Sequence, residues 1–256
     1  MKRIIVNADD CGKNVAVNRA IEKSIQEGKL SSTTIMANMD DLEGAYKLYD
    51  TFHSEVSFGW HMNLTEGRPV KSCQLLLDKG FYEETPGGIC FSAQQFEDAR
   101  YKFLDKETRK AILEELCAQY EVLRDNKFSI SHIDSHHHIH TSLFMIRIIQ
   151  ELTRRFHITK MRNIRNMVPF SLNYLGRNFW TMAQRVTNYD IKMTDLFEDY
   201  AEFNKLFTRG QLKISDNATI ELMCHPGHPL YHDEDFLSQR NVEKEYHANL
   251  ITYYEL

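Results

Sequence analysis

The amino-acid sequence predicts an α/β protein that folds as a distorted or incomplete (β/α) barrel in a single domain. Short apolar runs alternate with stretches whose apolar residues recur at helical spacing, which implies parallel strands joined by right-handed crossovers. About six or seven such units fit in the 256 residues, close to the roughly 250 of a (β/α) barrel. The chain has no low-complexity linker or internal repeat, which favours one domain. A doubly wound open sheet is the alternative, because periodicity alone does not separate the two.

The first part of the chain predicts three strands and two helices. An apolar run rich in Ile and Val over Lys2–Ala8 ends at an Asp-Asp-Cys-Gly turn and predicts a buried strand. Apolar residues at near-helical spacing predict a helix over Asn14–Gly28, with its terminal glycine just past the helix end. A strand over Thr33–Asn38, a helix over Asp41–His53 and a strand over Val56–Leu64 follow.

The remainder of the chain contains two less regular stretches. Residues 65–97 hold Pro69, Pro86 and a Gly-Gly pair, and we expect a long irregular loop or insertion there. Residues 166–212 predict helical or irregular structure. The other predicted strands are Phe128–Asp134, Ile158–Arg162, Ala218–Cys224 and Leu250–Tyr254, and the other predicted helices are Asp105–Asn126, Leu143–Phe156 and Glu234–Tyr246.

The charge balance and the cysteines narrow the class of protein. There are 31 basic and 36 acidic residues, a net charge of −5, which argues against binding nucleic acid through bulk positive charge. No apolar stretch approaches the roughly 20 residues of a membrane span, and the N-terminus turns acidic too soon for a signal-peptide core. The five cysteines are scattered without a Cys-x-x-Cys pair, as expected in a reducing compartment. We therefore expect a cytoplasmic protein.

Carboxylates and imidazoles follow four of the predicted strands. They are Asp9 and Asp10 after the first strand, His61 in the second half of the third, the cluster from Asp134 to His140, and His225 after Cys224. In barrels and open α/β sheets, ligands gather at the carboxyl ends of the strands. This set of side chains is typical of a divalent metal site that keeps positions open for water and substrate.

Asp9 and Asp10 permit two interpretations. At a strand end, one of them can bind the metal while the other faces an attacking water, which separates a ligand from a general base. The pair could instead cap the following helix and shape the turn.

The histidines also leave alternatives open. His136 shares a face with His138 in an extended chain and with His140 in a helix, so we expect one ligand from this cluster and supporting roles for its neighbours. His225, before a Pro-Gly turn, could protonate a leaving group near neutral pH or bond to backbone as a turn histidine. Arg162, at a strand end, could reach the same site.

These motifs together resemble the YdjC-like carbohydrate deacetylases, which include the chitooligosaccharide deacetylases. The matching segments occur in the family's order and are Ile5–Gly12, Ser32–Thr34, Gly59–Val70, His132–His140 and Glu221–Pro226. Cys11 stands where the family more often has an aromatic residue, a departure that we expect to affect packing rather than chemistry.

The resemblance implies a metal-dependent hydrolase that removes acetyl groups from amino sugars, and a possible homodimer. It implies metal ligands at Asp10, His61 and His136. Asp9 matches the general base and His225 the acid that protonates the departing amine, while Arg162 matches, weakly, a basic residue that holds the base. Family members are usually assigned Mg²⁺, whereas an Asp-His-His set suits Zn²⁺, Mn²⁺ or Co²⁺ better by ligand softness.

Two other functions remain open from the residues. The same ligands could serve a metal-dependent phosphoester hydrolase, a class that usually holds two metals about 3.5–4 Å apart. Alternatively, the histidine cluster could belong to a metal-binding protein without catalysis.

Overall fold

The computed structural model of the protein describes residues 1–167, 191–231 and 233–256. The described strands are Lys2–Cys11 (β1), Ser32–Ile35 (β2), Ser57–Met62 (β3), Tyr82–Thr85 (β4), Gly88–Phe91 (β5), Ile133–Ser135 (β6), Leu196–Asp199 (β7), Thr219–Cys224 (β8) and Ala248–Leu250 (β9). The described helices are Val15–Gln26 (α1), Leu42–Phe52 (α2), Gln74–Asp78 (α3), Ala93–Ala99 (α4), Lys106–Asp125 (α5), Met145–Phe156 (α6), Tyr200–Thr208 (α7), Asp233–Ser238 (α8) and Val242–Tyr246 (α9). Short 3₁₀ helices lie at His136–Thr141 and Tyr253–Glu255.

The main sheet is parallel, and its strand order follows the chain around a ring. The order is β6-β3-β2-β1-β8-β7, with β9 paired to the first residues of β1. Beyond β6, Ile133 bridges to Met161 and Lys160 bridges to Lys192, from which the chain runs into β7. The bridges thus link the two edges of the curled sheet in sequential order, as a barrel requires. The predicted distorted (β/α) barrel is confirmed, rather than the doubly wound alternative.

The central position of β1 explains its sequence. It lies between β2 and β8, and every residue from Ile4 to Cys11 is buried. Because consecutive side chains of a strand point to opposite faces, β1 is covered on both faces, and Val17 and Ile21 of α1 are buried in the same core. Strands in such an environment read as nearly continuous apolar runs. Asp9 and Asp10, at the end of this strand, are therefore unusual, because they are charged residues in a buried environment.

Three helices begin as their sequences predict. Asn14, Asp41 and Asp105 are the N-caps of α1, α2 and α5. Each side chain accepts the backbone N–H three residues further on, at 3.0, 3.2 and 2.9 Å. Such a bond satisfies one of the free N–H groups at a helix start and contributes about 1 kcal/mol.

Residues 65–97 do not form the irregular loop that their prolines and glycines suggest. They contain α3, the antiparallel β4–β5 hairpin and most of α4. Thr85 pairs with Gly88, so the Pro-Gly sequence between them forms a two-residue hairpin turn. The apolar residues of these elements belong to the main core, namely Leu76, Phe81, Tyr82, Phe91 and Phe96.

Several predicted element boundaries were wrong. The strand over Phe128–Asp134 reduces to β6, and Ile158–Arg162 contributes only isolated bridges. The last strand lies earlier than Leu250–Tyr254, because a capping box between Thr252 and Glu255 starts a 3₁₀ turn there. The helix over Glu234–Tyr246 divides into α8 and α9, with the second part capped anew.

The stretch over 166–212 contains β7 and α7, which the sequence did not separate. Its residues 168–190 lie outside the described residues. No helix in the described ranges combines the length and apolar character that crossing a membrane requires.

Candidate metal centre

Asp9 and Asp10 lie where β1 departs from regular strand geometry. Asp10 has a left-handed backbone with φ of 67°, and the β1–β2 register shifts between Ala8 and Cys11. This irregularity overrides the alternation of neighbouring side chains, so both carboxylates line the same cavity. A left-handed residue other than glycine costs roughly 1–2 kcal/mol, and such strain is typical of functional sites.

Asp10, His61 and His136 converge on one point. Asp10 Oδ1 lies 3.0 Å from His136 Nδ1 and 3.4 Å from His61 Nε2, and one donor atom from each residue lies within 4.8 Å of the others. Asp10 Oδ1 is buried, yet it makes no hydrogen bond of good geometry with the described residues. The three atoms therefore face a shared point rather than one another. One carboxylate and two imidazoles are a donor set that fits a divalent transition metal.

The orientation of His61 is fixed from behind. Its Nδ1 lies 2.6 Å from Asp134 Oδ1 and 3.1 Å from the Thr34 hydroxyl. A carboxylate that accepts from Nδ1–H leaves the lone pair of Nε2 facing Asp10, as carboxylate–histidine pairs do in metal sites.

Arg162 connects Asp9 to two other buried carboxylates. Its Nη1 and Nη2 donate to Asp9 Oδ2 and Oδ1 at 2.7 and 2.6 Å, and its Nε donates to Glu221 Oε1 at 2.7 Å. Nη1 also lies 2.7 Å from Asp134 Oδ2. Arg162, which follows the isolated bridge at Met161, thus lies beside the predicted site residue Asp9.

The charge of Arg162 keeps the pKa of Asp9 low but does not outweigh the effect of burial at Glu221. Burial alone raises the pKa of Asp9, but the guanidinium outweighs this effect and holds the pKa well below its usual range. Burial raises the pKa of Glu221 to about 7 despite the same guanidinium, and the Tyr253 hydroxyl donates to Glu221 at 2.5 Å. Asp9 is therefore ionised near neutral pH.

His225 lies beside Asp9 on the turn that follows β8. Its Nε2 is 3.9 Å from Asp9 Oδ2 and its Nδ1 is 3.8 Å from Asp233 Oδ2, which also accepts the backbone N–H of His225 at 2.6 Å. Burial alone lowers the pKa of His225, but the Asp233 and Asp9 carboxylates outweigh it and raise the pKa above 6.5. The turn packs closely against α1, because a Cβ on Gly227 would come within 2.8 Å of Val17 Cα.

The backbone of the histidine cluster follows neither of the two predicted arrangements. His137 and His138 both have left-handed backbones, with φ of 50° and 54°, inside the 3₁₀ segment. The chain is therefore neither extended nor regularly helical, and only His136 of this cluster enters the Asp10–His61 group among the described residues. The His137 ring stacks on that of His136 with centroids 4.0 Å apart.

His132, which precedes the cluster, and His140 within it have structural contacts. The fully buried His132 stacks on Tyr253 with ring centroids 3.5 Å apart. His140 Nδ1 lies 2.6 Å from the Ser135 hydroxyl, which also accepts the His140 backbone N–H. Burial lowers the pKa of His132 well below its usual value and that of His140 to about 3, so both are neutral near pH 7.

A cavity of about 500 Å³ opens over these groups. One wall carries His228 and Tyr231, whose rings stack with centroids 4.4 Å apart. Tyr231 is 57% exposed, and its ring also lies 5.0 Å from that of His225. The cavity is thus lined by the carboxylates of Asp9 and Asp10 and by the aromatic rings of His228 and Tyr231.

Fold and site together define a barrel protein with a candidate metal centre at the carboxyl ends of its strands. The chain belongs to the family described as YdjC-like protein, whose model matches residues 3–250.

Similar proteins include two named carbohydrate deacetylase. The one from Geobacillus stearothermophilus is 29% identical over 242 residues, 93% of this chain and 86% of that protein. The one from Vibrio parahaemolyticus is 26% identical over 245 residues, 94% of this chain and 86% of that protein. A solved structure of a proposed cellobiose-phosphate cleavage protein from Enterococcus faecalis has a TM-score of 0.75 at 19% identity, covering 99% of this chain and 98% of that chain. At that identity the likeness supports the fold alone.

The structure adds residues that sequence reasoning missed. Glu66 and Lys13 line the cavity beside His136, and Asp233 contacts His225. Asp134 was noted only as part of the histidine cluster, without a role. Glu66 and Asp134 lie 70 and 73 positions from the histidines that they contact, so these two partners give no local signal and emerge only from the fold.

Proposed function

We propose that this protein is a metal-dependent hydrolase that removes N-acetyl groups from amino sugars or oligosaccharides such as chitooligosaccharides. The observation that carries the proposal is the meeting of Asp10 Oδ1, His61 Nε2 and His136 Nδ1 at one point, with Asp9 and His225 beside it. The deacetylase names of the family relatives supply the substrate class.

The chain's own residues divide the work of amide hydrolysis. A divalent ion held by Asp10, His61 and His136 would polarise the acetyl carbonyl and lower the pKa of the attacking water. Asp9, held ionised by Arg162, accepts a proton from that water as its oxygen attacks the carbonyl carbon. His225 donates a proton to the amide nitrogen, so the C–N bond breaks to give acetate and the free amine.

Phosphoester hydrolases with such ligands usually hold two metals, and the charge of this site opposes a second one. Asp9, His61 and Asp134 form a second group with ligand-like spacing. The Arg162 guanidinium, however, lies within 2.7 Å of both carboxylates of that group. It already supplies the positive charge that a second ion would bring, and repulsion would disfavour both together. We therefore propose a single metal.

The proposed ion is Zn²⁺, Mn²⁺ or Co²⁺ on ligand chemistry, with Mg²⁺ retained because the family resemblance implies it. A cytoplasmic location and a homodimer are likewise proposals. The five cysteines are all unpaired, which supports a reducing compartment. Light scattering on the purified protein tests the dimer.

Acetate release from short N-acetylglucosamine oligomers tests the proposed function. Chelator-treated protein should be inactive and regain activity with one added divalent ion. Asp10→Asn should abolish turnover, and His225→Ala should slow it by roughly 10²–10⁴-fold. His53→Ala, an exposed histidine away from the cavity, is the matched control and should behave as the wild type. Absence of acetate with every ion, or full activity in Asp10→Asn, would refute the proposal.

A further inference from the structure

Glu66 approaches His136 on the side of the ring away from Asp10. Glu66 Oε2 lies 2.8 Å from His136 Nε2, while His136 Nδ1 lies 3.0 Å from Asp10 Oδ1. An ionised carboxylate can only accept, so the hydrogen of this bond belongs to Nε2 of the histidine. In the neutral imidazole, Nδ1 then carries the lone pair, and that lone pair faces Asp10.

The turn that carries Glu66 is rigidly built. Asn63 Oδ1 accepts the backbone N–H groups of Thr65 and Glu66, both at 3.1 Å, and Asn63 Nδ2 donates to Glu66 O at 2.7 Å. The buried Gln119 side chain bonds both backbone groups of Asn63, at 3.1 and 2.6 Å. This local network fixes the direction in which Glu66 leaves the backbone.

Lys13 completes the arrangement. Its Nζ lies 2.8 Å from the same Oε2 of Glu66 and 3.7 Å from Asp10 Oδ2. The ammonium group therefore lies between the two carboxylates and offsets their mutual repulsion.

We propose that Glu66 is a positioning residue that holds the proton of His136 on Nε2 and thereby presents Nδ1 to the metal. This inference rests on the proposed metal site. It gives His136 the same kind of carboxylate partner that Asp134 provides for His61, with the opposite ring nitrogen left free.

Zinc affinity, measured by competition with a chelating dye, tests the proposal without an activity assay. Glu66→Ala should weaken zinc binding by about 10–100-fold. Glu66→Gln should recover most of the loss, because its side-chain carbonyl can still accept from Nε2–H. Glu84→Ala removes an exposed carboxylate of β4 outside the cavity and should leave the affinity unchanged. Nitrogen-15 shifts of the zinc-loaded wild type should show His136 coordinated through Nδ1 and protonated at Nε2.

Three results would overturn the proposal. These are wild-type affinity in Glu66→Ala, coordination of His136 through Nε2, or equal losses in Lys13→Met and Glu66→Ala without rescue by Glu66→Gln. The last pattern would mean that Glu66 acts by charge rather than by orientation. A protein that fails to release acetate but shows the expected affinities would refute the deacetylase function and leave the role of Glu66 standing.

Discussion

Arg162 and Asp9 form a two-pronged ion pair across 153 positions of the chain, with N–O distances of 2.6 and 2.7 Å. Arg162 is 1% exposed, and it also contacts Asp134 and Glu221, so one buried cation is shared by three carboxyl groups. Paired contacts of this kind fix orientation as well as charge. Asp9 is thus aligned before any substrate arrives.

Replacing Arg162 should lower the free energy of unfolding as well as slow the reaction. Arg162→Met leaves three carboxylates without their cation, and loss of one partner from a buried pair costs about 3–5 kcal/mol. Arg162→Lys keeps the charge but not the planar paired geometry, so it should lie in between. Urea unfolding gives the free energy of unfolding. The control Arg154→Met, at a surface pair with Glu151, should stay within about 0.5 kcal/mol. Equal stabilities for the two methionine variants would contradict this account.

The pH dependence of kcat/KM should respond to Asp233. The reaction requires protonated His225, so activity should fall as the pH rises past the pKa of that histidine, which Asp233 and Asp9 hold above 6.5. Asp233→Asn removes one of these charges but can still accept the His225 backbone N–H. It should therefore move the alkaline limb to lower pH.

Asp235→Asn, an exposed neighbour on α8, serves as the control for this experiment. Its alkaline limb should match that of the wild type. An unmoved limb in Asp233→Asn would show that another group sets the profile.

The sequence indicated the residues at the carboxyl ends of the strands more clearly than it indicated some of the barrel strands themselves. Asp9, Asp10 and His61 lie at the carboxyl ends of buried strands, and His225 directly follows another, so their position at one edge followed from topology. By contrast, β7 has only two apolar residues, Leu196 and Phe197, before Glu198 and Asp199, which is too short an apolar run to indicate a strand.

The contacts that hold the site residues in place could not be predicted from the sequence for a different reason. Glu66 and His136 are separated by 70 positions, and Asp9 and Arg162 by 153. Such pairs are set by how far each strand extends before its turn, a property of packing rather than of local sequence. The left-handed backbones of Asp10 and His137 are also hard to predict, because few residues other than glycine adopt this conformation, although Asp and His are enriched among those that do.

A side chain at Gly59 should lower the stability of the protein, because it would clash with the His132 ring. A Cβ at this position would lie 2.4 Å from His132 Cε1, and that ring is held against Tyr253 with centroids 3.5 Å apart. Overpacking of this kind costs about 1–3 kcal/mol, so Gly59→Ala should lower the free energy of unfolding by that amount. If the clash is with His132, adding His132→Ala should cost less in the Gly59→Ala background than alone. Strictly additive losses would rule out the clash.

Tyr231 should contribute to binding rather than to bond cleavage. Its exposed ring stacks on His228 and lines the cavity, so it offers an apolar face against which a sugar ring can pack. We expect Tyr231→Ala to raise KM for N-acetylglucosamine oligomers by roughly tenfold, which corresponds to about 1.4 kcal/mol, with little change in kcat. Tyr231→Phe keeps the ring and should retain the wild-type KM. Tyr101→Ala removes a ring that is 83% exposed and lies outside the cavity, and it should have no effect. A KM in Tyr231→Phe as high as that in Tyr231→Ala would assign the effect to the hydroxyl group instead of the ring face.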